Sequence, residues 1–174
     1  MRNPFAAWLR NADKTLAKVN FFAILLASDQ LLYAPSLALF LGKSGWLAWP
    51  VALIAPAFAV TPWIARRSSV TARIWLPLIG IVNTAVAQLA LGVDSGVWVF
   101  LLPSVALAGM LLHQRERWAL VLLTMLAMAV FLFLPKGHDV LPTDIALAAT
   151  HLNTGSAIIL TGFIGWIFAR RTES

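Results

Sequence analysis

Positive charge in this chain of 174 residues is concentrated in alternate connections between six apolar stretches. The connections after the first and fifth stretches hold only Lys43 and Lys136. The other eleven of the thirteen basic residues lie before the first stretch or after the second, fourth and sixth: Arg2, Arg10, Lys14, Lys18, Arg66, Arg67, Arg73, Arg115, Arg117, Arg170 and Arg171. Because basic residues accumulate on the cytoplasmic side of membrane proteins, this alternation predicts an even number of membrane spans with both termini in the cytoplasm.

The apolar stretches have the length of membrane-spanning helices, which need about 20 residues to cross the hydrocarbon core. We place the spans near residues 20–41, 46–64, 73–92, 96–114, 117–135 and 143–169. Residues 1–19 are predicted to form a cytoplasmic interfacial amphipathic helix, residues 20–171 the transmembrane domain, and residues 172–174 the start of a cytoplasmic linker or tail. The predicted fold is therefore all-α, a polytopic membrane bundle of six transmembrane helices.

The composition excludes several classes of protein. With 60% hydrophobic and 11% charged residues, a soluble fold could not cover its surface with charge. The net charge of +6 flanks apolar spans, so its expected partner is the anionic inner leaflet of a bilayer rather than nucleic acid. The chain has no cysteine, which excludes disulfides and thiolate catalysis. These features predict a multi-pass integral membrane protein.

Polar residues inside the spans are the best pointers to a site, because burying them in lipid is costly. Asp29 and Tyr33 are one helical turn apart in the first span, and Asp29 is the only acidic residue placed well inside the bilayer. The carboxyl group of Asp29 has two open interpretations: a structural hydrogen bond to a neighbouring helix, or a role in sensing a ligand or a proton.

The third and sixth spans carry stripes of small and polar residues at a spacing of four. Small residues let helix backbones approach closely, so the first interpretation is helix packing within or between subunits, and ligand contact is the alternative. The candidate packing residues are Gly80, Thr84, Gly92, Ala157, Thr161 and Gly165.

No catalytic constellation can be assembled from the sequence. His113 and His151 are expected near opposite leaflets and His138 in an outer loop, so two axial ligands for a haem are not available at one depth. Metalloprotease, nucleophile-elbow, phosphate-loop and dinucleotide motifs are absent from the sequence. We therefore expect a domain that is not an enzyme and that uses no cofactor or metal.

One pattern runs from the third span into the fifth. It consists of Arg73, Leu76-Pro77, Asn83, Leu91-Gly92-Val93-Asp94-Ser95-Gly96, Phe100-Leu101-Leu102-Pro103 and Arg115-Glu116-Arg117. The pattern resembles the six-helix membrane domains that precede bacterial class III adenylate cyclases and some sensor histidine kinases, including the alkyl-ketone autoinducer receptors of quorum sensing. With Asn153 it covers residues 73–171, and it covers the first two spans by topology only.

The resemblance implies a homodimeric receptor or regulatory anchor whose sixth helix passes a conformational change to a cytoplasmic output domain. The sequence stops at Ser174 without such a domain, so the output is expected in a longer chain or in a partner protein. The ligand is expected to be small and lipophilic or amphipathic. The candidate ligand-binding residues are Asp29, Tyr33, Asn83, Gln88, His151 and Asn153.

Two other functions remain open at this stage. Polar residues near the membrane midplane are also found in translocation paths, so the chain could be a small dimeric proton-coupled transporter with Asp29 as the coupling carboxylate. The third possibility is a purely structural membrane anchor.

Overall fold

The computed structural model describes residues 14–134 and 141–169, and every regular element in these two ranges is helical. The α-helices are α1 (Lys14–Leu41), α2 (Trp49–Ala52), α3 (Ala55–Ala59), α4 (Thr61–Arg67), α5 (Ser69–Leu91), α6 (Leu101–Leu111), α7 (Arg117–Phe133) and α8 (Thr143–Ala169). Short 3-10 helices cover Gly42–Ala48, Val93–Ser95, Val97–Phe100 and Gln114–Glu116. The predicted all-α class is confirmed for the described residues.

Several sequence predictions fall on residues that the structure does not describe. These are most of the interfacial helix, His138 in the outer loop, and the cytoplasmic tail over residues 172–174. From Lys14 onward, the predicted interfacial segment belongs to α1, which runs without a break into the first apolar stretch.

Four helical stretches are long and apolar enough to cross a membrane, as judged by length and composition. They are Thr15–Arg67, Ser69–Leu91, Gln114–Phe133 and Thr143–Ala169, and the apolar stretch Val97–Leu111 is shorter. This set of long apolar helices is consistent with a membrane protein.

The stretch Thr15–Arg67 folds back on itself as a helical hairpin. Leu37, late in α1, shares an apolar cluster with Val51, whereas Phe22, early in α1, shares another with Phe58. The returning half therefore runs antiparallel to α1.

Glycines form the turn of this hairpin. Gly42 has φ of 56°, and a Cβ on Gly45 would lie 2.5 Å from the carbonyl oxygen of Ala38. Only glycine adopts the first conformation without strain, and only glycine permits the second close approach.

Prolines divide the returning half of the hairpin into three short helices. Pro50, Pro56 and Pro62 each lie in the first turn of α2, α3 and α4, respectively. Proline is tolerated there because a first-turn residue needs no backbone N–H donor, whereas it interrupts a helix that continues from the preceding turn. The spacing of these prolines explains why this half is segmented.

The other helices pack around α5 and α6. Helix α5 contacts α4, α6 and α7, and α8 contacts α6 and the 3-10 helices Val93–Ser95 and Val97–Phe100. The interior consists of three apolar clusters. Residues of the first two clusters border a cavity that contains the polar side chains considered next.

Candidate ligand-binding cavity

A cavity of about 70 Å³ lies between α1, the hairpin return, α5, α6 and α8. This volume holds a few water molecules, and it is well below the roughly 300–1,000 Å³ of sites that enclose drug-sized ligands. Its walls are mostly apolar, with Phe22, Phe58 and Leu107 among them. The cavity is therefore suited to a small molecule or to one end of a longer one.

Two helices supply most of the polar lining. Asp29 and Tyr33 lie one turn apart on α1 and share one helix face, and Asn83 and Thr84 are adjacent on α5, so both helices direct polar side chains to the same space. The polar side chains that line the cavity are Asp29, Gln30, Tyr33, Asn83, Thr84 and Ser104.

Two amide oxygens of this lining have no partner among the described residues. Gln30 is 7% exposed, and its Nε2 donates to Asp29 Oδ2 at 3.3 Å while its Oε1 is buried without a hydrogen bond. Asn83 Oδ1 is likewise buried without a hydrogen-bond partner among the described residues. An unsatisfied buried acceptor costs about 1–3 kcal/mol, so both oxygens favour a water or a ligand that donates a hydrogen bond.

The hydroxyl groups of the lining have already used their hydrogens. Tyr33 donates to Asn153 Oδ1 at 2.8 Å, and Thr84 and Ser104 each donate at 2.9 Å to a carbonyl one turn earlier. Their oxygens retain lone pairs. The hydrogen-bonding capacity left over in the cavity is consequently dominated by acceptors.

Asp29 lies at the opening of the cavity. Its side chain lines the cavity and is also exposed at the surface of the chain. Within the described residues, it accepts a hydrogen bond from Gln30 and forms no ion pair. The cavity thus reaches the protein surface beside a carboxyl group that has no ion-pair partner in the described part of the chain.

Asn153 connects the cavity to α8. Its side chain is 1% exposed, accepts the hydrogen bond from Tyr33, and donates through Nδ2 to the carbonyl oxygen of Ser95 at 2.8 Å. Thr150, one turn earlier, donates to the carbonyl oxygen of Asp94 at 2.6 Å. One face of α8 is therefore fixed both to a cavity residue on α1 and to the turn that follows α5.

The structure brings together four of the six residues expected to bind a ligand. Asp29, Tyr33 and Asn83 line the cavity, and Asn153 contacts Tyr33 directly.

The other two candidate residues lie elsewhere. Gln88 is buried on α5 with its Oε1 unpaired within the described residues, but it does not line the cavity. His151 is exposed on α8.

The candidate packing residues on α5 have different surroundings. A Cβ on Gly80 would lie 2.6 Å from Ser104 Oγ, so α5 and α6 approach closely there. Thr84 is buried one turn later and also lines the cavity. Gly92 ends α5 with φ of 81°.

On α8 the candidate packing residues become less enclosed along the helix. Ala157 is buried, and Thr161 donates at 2.7 Å to the carbonyl oxygen of Ala157 in its own helix. A Cβ on Gly165 would meet no described atom within 4 Å. The part of the chain that the structure describes therefore leaves Gly165 open.

Gln30 and Ser104 were not among the candidate ligand-binding residues. Gln30 follows Asp29 directly, and two adjacent polar residues within an apolar span were the available signal. Ser104 is a single hydroxyl in an apolar helix, and its position opposite Gly80 follows only from the pairing of α5 with α6.

A buried ion pair at one end of the bundle was also not predicted. Arg73 Nε donates to Glu116 Oε2 at 3.1 Å, and Nη2 of Arg73 donates to the other carboxylate oxygen. The backbone N–H of His113 donates to Oε2 at 3.1 Å, and Arg73 and Glu116 are 4% and 7% exposed. The pair joins the start of α5 to the connection between α6 and α7.

In the described ranges 14–134 and 141–169, no group of three or more His, Asp or Glu side chains is placed to hold one metal ion. His113 caps the 3-10 helix Gln114–Glu116, and His151 lies on the exposed face of α8.

Comparison with protein-family models, curated proteins and solved structures finds no match for this chain.

Proposed function

We propose that this chain is a membrane receptor domain that senses a small, lipophilic or amphipathic signal and transmits it through α8 to a cytoplasmic output domain, such as a nucleotide cyclase or a histidine kinase. The observation that carries the proposal is the hydrogen bond from Tyr33, a cavity residue, to Asn153 on α8. The sequence resemblance to membrane domains of cyclases and kinases supports the same assignment.

In this mechanism the ligand biases the packing of α1 against α8. A ligand that donates to Gln30 or Asn83 binds the arrangement in which those oxygens face the cavity, and it shifts the equilibrium only by its difference in affinity between two arrangements. Tyr33 and Asn153 pass that shift to α8, whose far end leads toward the predicted cytoplasmic side. The domain itself performs no catalysis in this proposal.

We further propose six spans, cytoplasmic termini and a homodimer in the bacterial inner membrane. The helical hairpin within Thr15–Arg67 supports two crossings in that stretch, and Val97–Leu111 supplies the short fourth one. The exposed cations between the second and third spans and between the fourth and fifth support one cytoplasmic face.

The absence of cysteine makes this topology easy to test. Single cysteines replacing Lys43 or Asp94 are expected to react with a membrane-impermeant maleimide on intact cells, since both would face outward. Cysteines replacing Arg66 or Gln114 are expected to react only after the membrane is opened. Labelling of Gln114→Cys in intact cells would rule out the proposed topology.

The receptor function is tested by joining the full chain in frame to a class III cyclase catalytic domain in bacteria that lack their own cyclase. Tyr33→Phe and Asn153→Leu should change cyclic AMP output by about fivefold, the effect of roughly 1 kcal/mol of coupling. Asn83→Leu should blunt the output while membrane insertion is kept. Val82→Leu, on the exposed side of the same helix, is the matched control.

Equal cyclic AMP output from all of these variants would contradict the receptor function. If an unrelated set of membrane spans with the same dimer geometry then sustains the same regulation, the chain is a structural anchor.

A proton-coupled transporter is the second candidate, because Asp29 is an unpaired carboxylate at the opening of a cavity within the described residues. In proteoliposomes with an imposed proton gradient, this function predicts substrate uptake that is abolished by Asp29→Asn and retained by Asp144→Asn. Asp144 is exposed at the start of α8, away from the cavity.

A further inference from the structure

We infer that the cavity selects a ligand with a primary ammonium group on a hydrocarbon chain, with the ammonium held by Asp29 and by the amide oxygens of Gln30 and Asn83. This inference rests on the proposed ligand-binding function and names the chemical class of the ligand. It is carried by the unmatched acceptors of the cavity together with the carboxylate at its opening.

The orientation of the Gln30 amide is fixed by its neighbour. An NH₂ group is attracted to the Asp29 carboxylate, whereas an amide oxygen is repelled by it, so Nε2 faces Asp29 at 3.3 Å and Oε1 remains without a partner among the described residues. Gln30 is more than nine-tenths buried, so bulk water does not satisfy this oxygen. A ligand there must bring a hydrogen-bond donor.

The charge of the Asp29 carboxylate favours the same class of ligand. Asp29 lies near the middle of α1, about 22 Å from its first residue and about 18 Å from its last at 1.5 Å per residue. A carboxylate at that depth in a membrane is costly unless it is paired, and no cation pairs with it in the described part of the chain. An ammonium group supplies both the positive charge and up to three N–H donors.

The cavity volume limits what is enclosed. About 70 Å³ accommodates an ammonium group and its first carbon atoms, but not a long chain. The opening beside Asp29 leads to the outer surface of α1, where Leu32 is 72% exposed one turn away. The hydrocarbon chain of the ligand therefore lies along α1 outside the cavity, among the lipid tails.

Other ligand classes fit less well. A ketone brings only an acceptor and would leave both amide oxygens unpaired, and a carboxylate would add a like charge beside Asp29. The chemistry of the lining thus favours an amine over an alkyl ketone or a fatty acid.

The test uses the purified full chain in phosphatidylcholine nanodiscs, with the thermal midpoint followed by tryptophan fluorescence. Octylamine, methyl hexyl ketone and octanoate are added at equal concentration, so that chain length is matched. Octylamine is expected to raise the midpoint by several degrees through preferential binding to the folded state, and the other two are not. A rise of equal size with the ketone or with octanoate would overturn the inference.

Variants locate the effect at Asp29. Asp29→Asn keeps the shape of the side chain and should weaken the apparent affinity for octylamine at least tenfold, whereas Asp144→Asn should leave it unchanged. An octylamine response that is the same in wild type and Asp29→Asn would show partition into the bilayer rather than binding, and would also overturn the inference. If Asp29→Asn does not fold, the comparison of the three probes on the wild-type chain still tests the inference.

The ammonium group could belong to a free amine or to the headgroup of an aminophospholipid. If phosphatidylethanolamine in the nanodisc raises the midpoint without octylamine, and Asp29→Asn removes the rise, the source is the lipid. If only octylamine does so, the source is a free amine.

The receptor proposal and the ammonium inference fail separately. A midpoint shift by the ketone that Asn83→Leu removes would keep the receptor and exclude the ammonium class. If octylamine binds at Asp29 but Tyr33→Phe and Asn153→Leu leave the output of the cyclase fusion unchanged, the ammonium inference is kept and the receptor proposal is excluded.

Discussion

Two helix interfaces of this molecule are built in opposite ways. Helices α5 and α6 pack directly against each other, with Gly80 against Ser104 and the Arg73–Glu116 pair at one end. Helices α1 and α8 meet mainly through long side chains. The ring of Phe22 lies 6.2 Å from that of Phe168, and Tyr33 reaches Asn153. We refer to these as the tight interface and the bridged interface.

The difference indicates which part of the bundle can change shape. Small residues in contact leave no room for adjustment, because packed interiors respond poorly to displacement. Long side chains that span a gap can take other rotamers, and the cavity borders this gap while Gly80 and Ser104 of the tight interface also line it. Ligand binding is therefore expected to move the bridged interface, while the tight interface forms a fixed wall of the cavity.

The largest effect is expected from removing the Arg73–Glu116 ion pair at one end of the tight interface. Arg73→Leu leaves Glu116 buried without its main partner, so the free energy of unfolding should fall by about 3–5 kcal/mol in detergent–denaturant titrations. Arg73→Leu combined with Glu116→Leu should recover most of this loss. If the double variant is no more stable than Arg73→Leu alone, the loss of stability does not come from leaving Glu116 without its partner.

The next effect comes from filling the close approach between α5 and α6. Gly80→Leu places carbon atoms where Ser104 already lies, and overpacking of this kind lowers the free energy of unfolding by about 1–3 kcal/mol. Gly109→Leu is the matched control, since a Cβ on Gly109 meets no described atom within 4 Å. Equal losses in both variants would mean that α5 and α6 are not tightly packed.

A smaller effect is expected at the bridged interface. Tyr33→Phe removes one hydrogen bond to Asn153 and should lower the free energy of unfolding by about 1 kcal/mol. Thr124→Val removes a hydroxyl that bonds within its own helix and should cost less. A double-mutant cycle of Tyr33→Phe with Asn153→Leu should be non-additive, whereas additivity would mean that the two residues do not interact.

The smallest effect concerns Gly165. Replacing a helical glycine by alanine stabilises a helix by roughly 0.5–1 kcal/mol where nothing opposes the methyl group, and the described residues leave space there. Gly165→Ala should therefore raise the unfolding free energy slightly. A loss of stability together with a loss of dimer in crosslinking would instead place Gly165 at the contact between two copies.

The sequence predicted local features better than the pairing of distant ones. The stripe of small and polar residues on α5 was visible from the sequence, and the structure places Gly80 and Thr84 of this stripe, together with the neighbouring Asn83, at the cavity but not Gln88. The faces of α1 and α8 were harder to assign. His151 and Asn153 are only two residues apart, yet one is exposed and the other buried.

Features that depend on long-range packing were not accessible from the sequence. Arg73 and Glu116 each sit among other charges in the sequence, and their pairing requires α5, α6 and α7 to be assembled. The cavity has the same origin, because its volume depends on how α1, α5, α6 and α8 pack together. Helical periodicity assigns faces within one helix and carries no information about that packing.

The way α8 holds the turn after α5 bears on how such a chain can diverge over time. Thr150 and Asn153 bind the carbonyl oxygens of Asp94 and Ser95, which every amino acid possesses. These two hydrogen bonds therefore place no requirement on the side chain at position 94. Position 96 is constrained, because a Cβ on Gly96 would lie 2.9 Å from the backbone of Thr150. We therefore expect selection to retain Thr150 and Asn153 on α8 and Gly96 in the turn, and to act little on the side chain of Asp94.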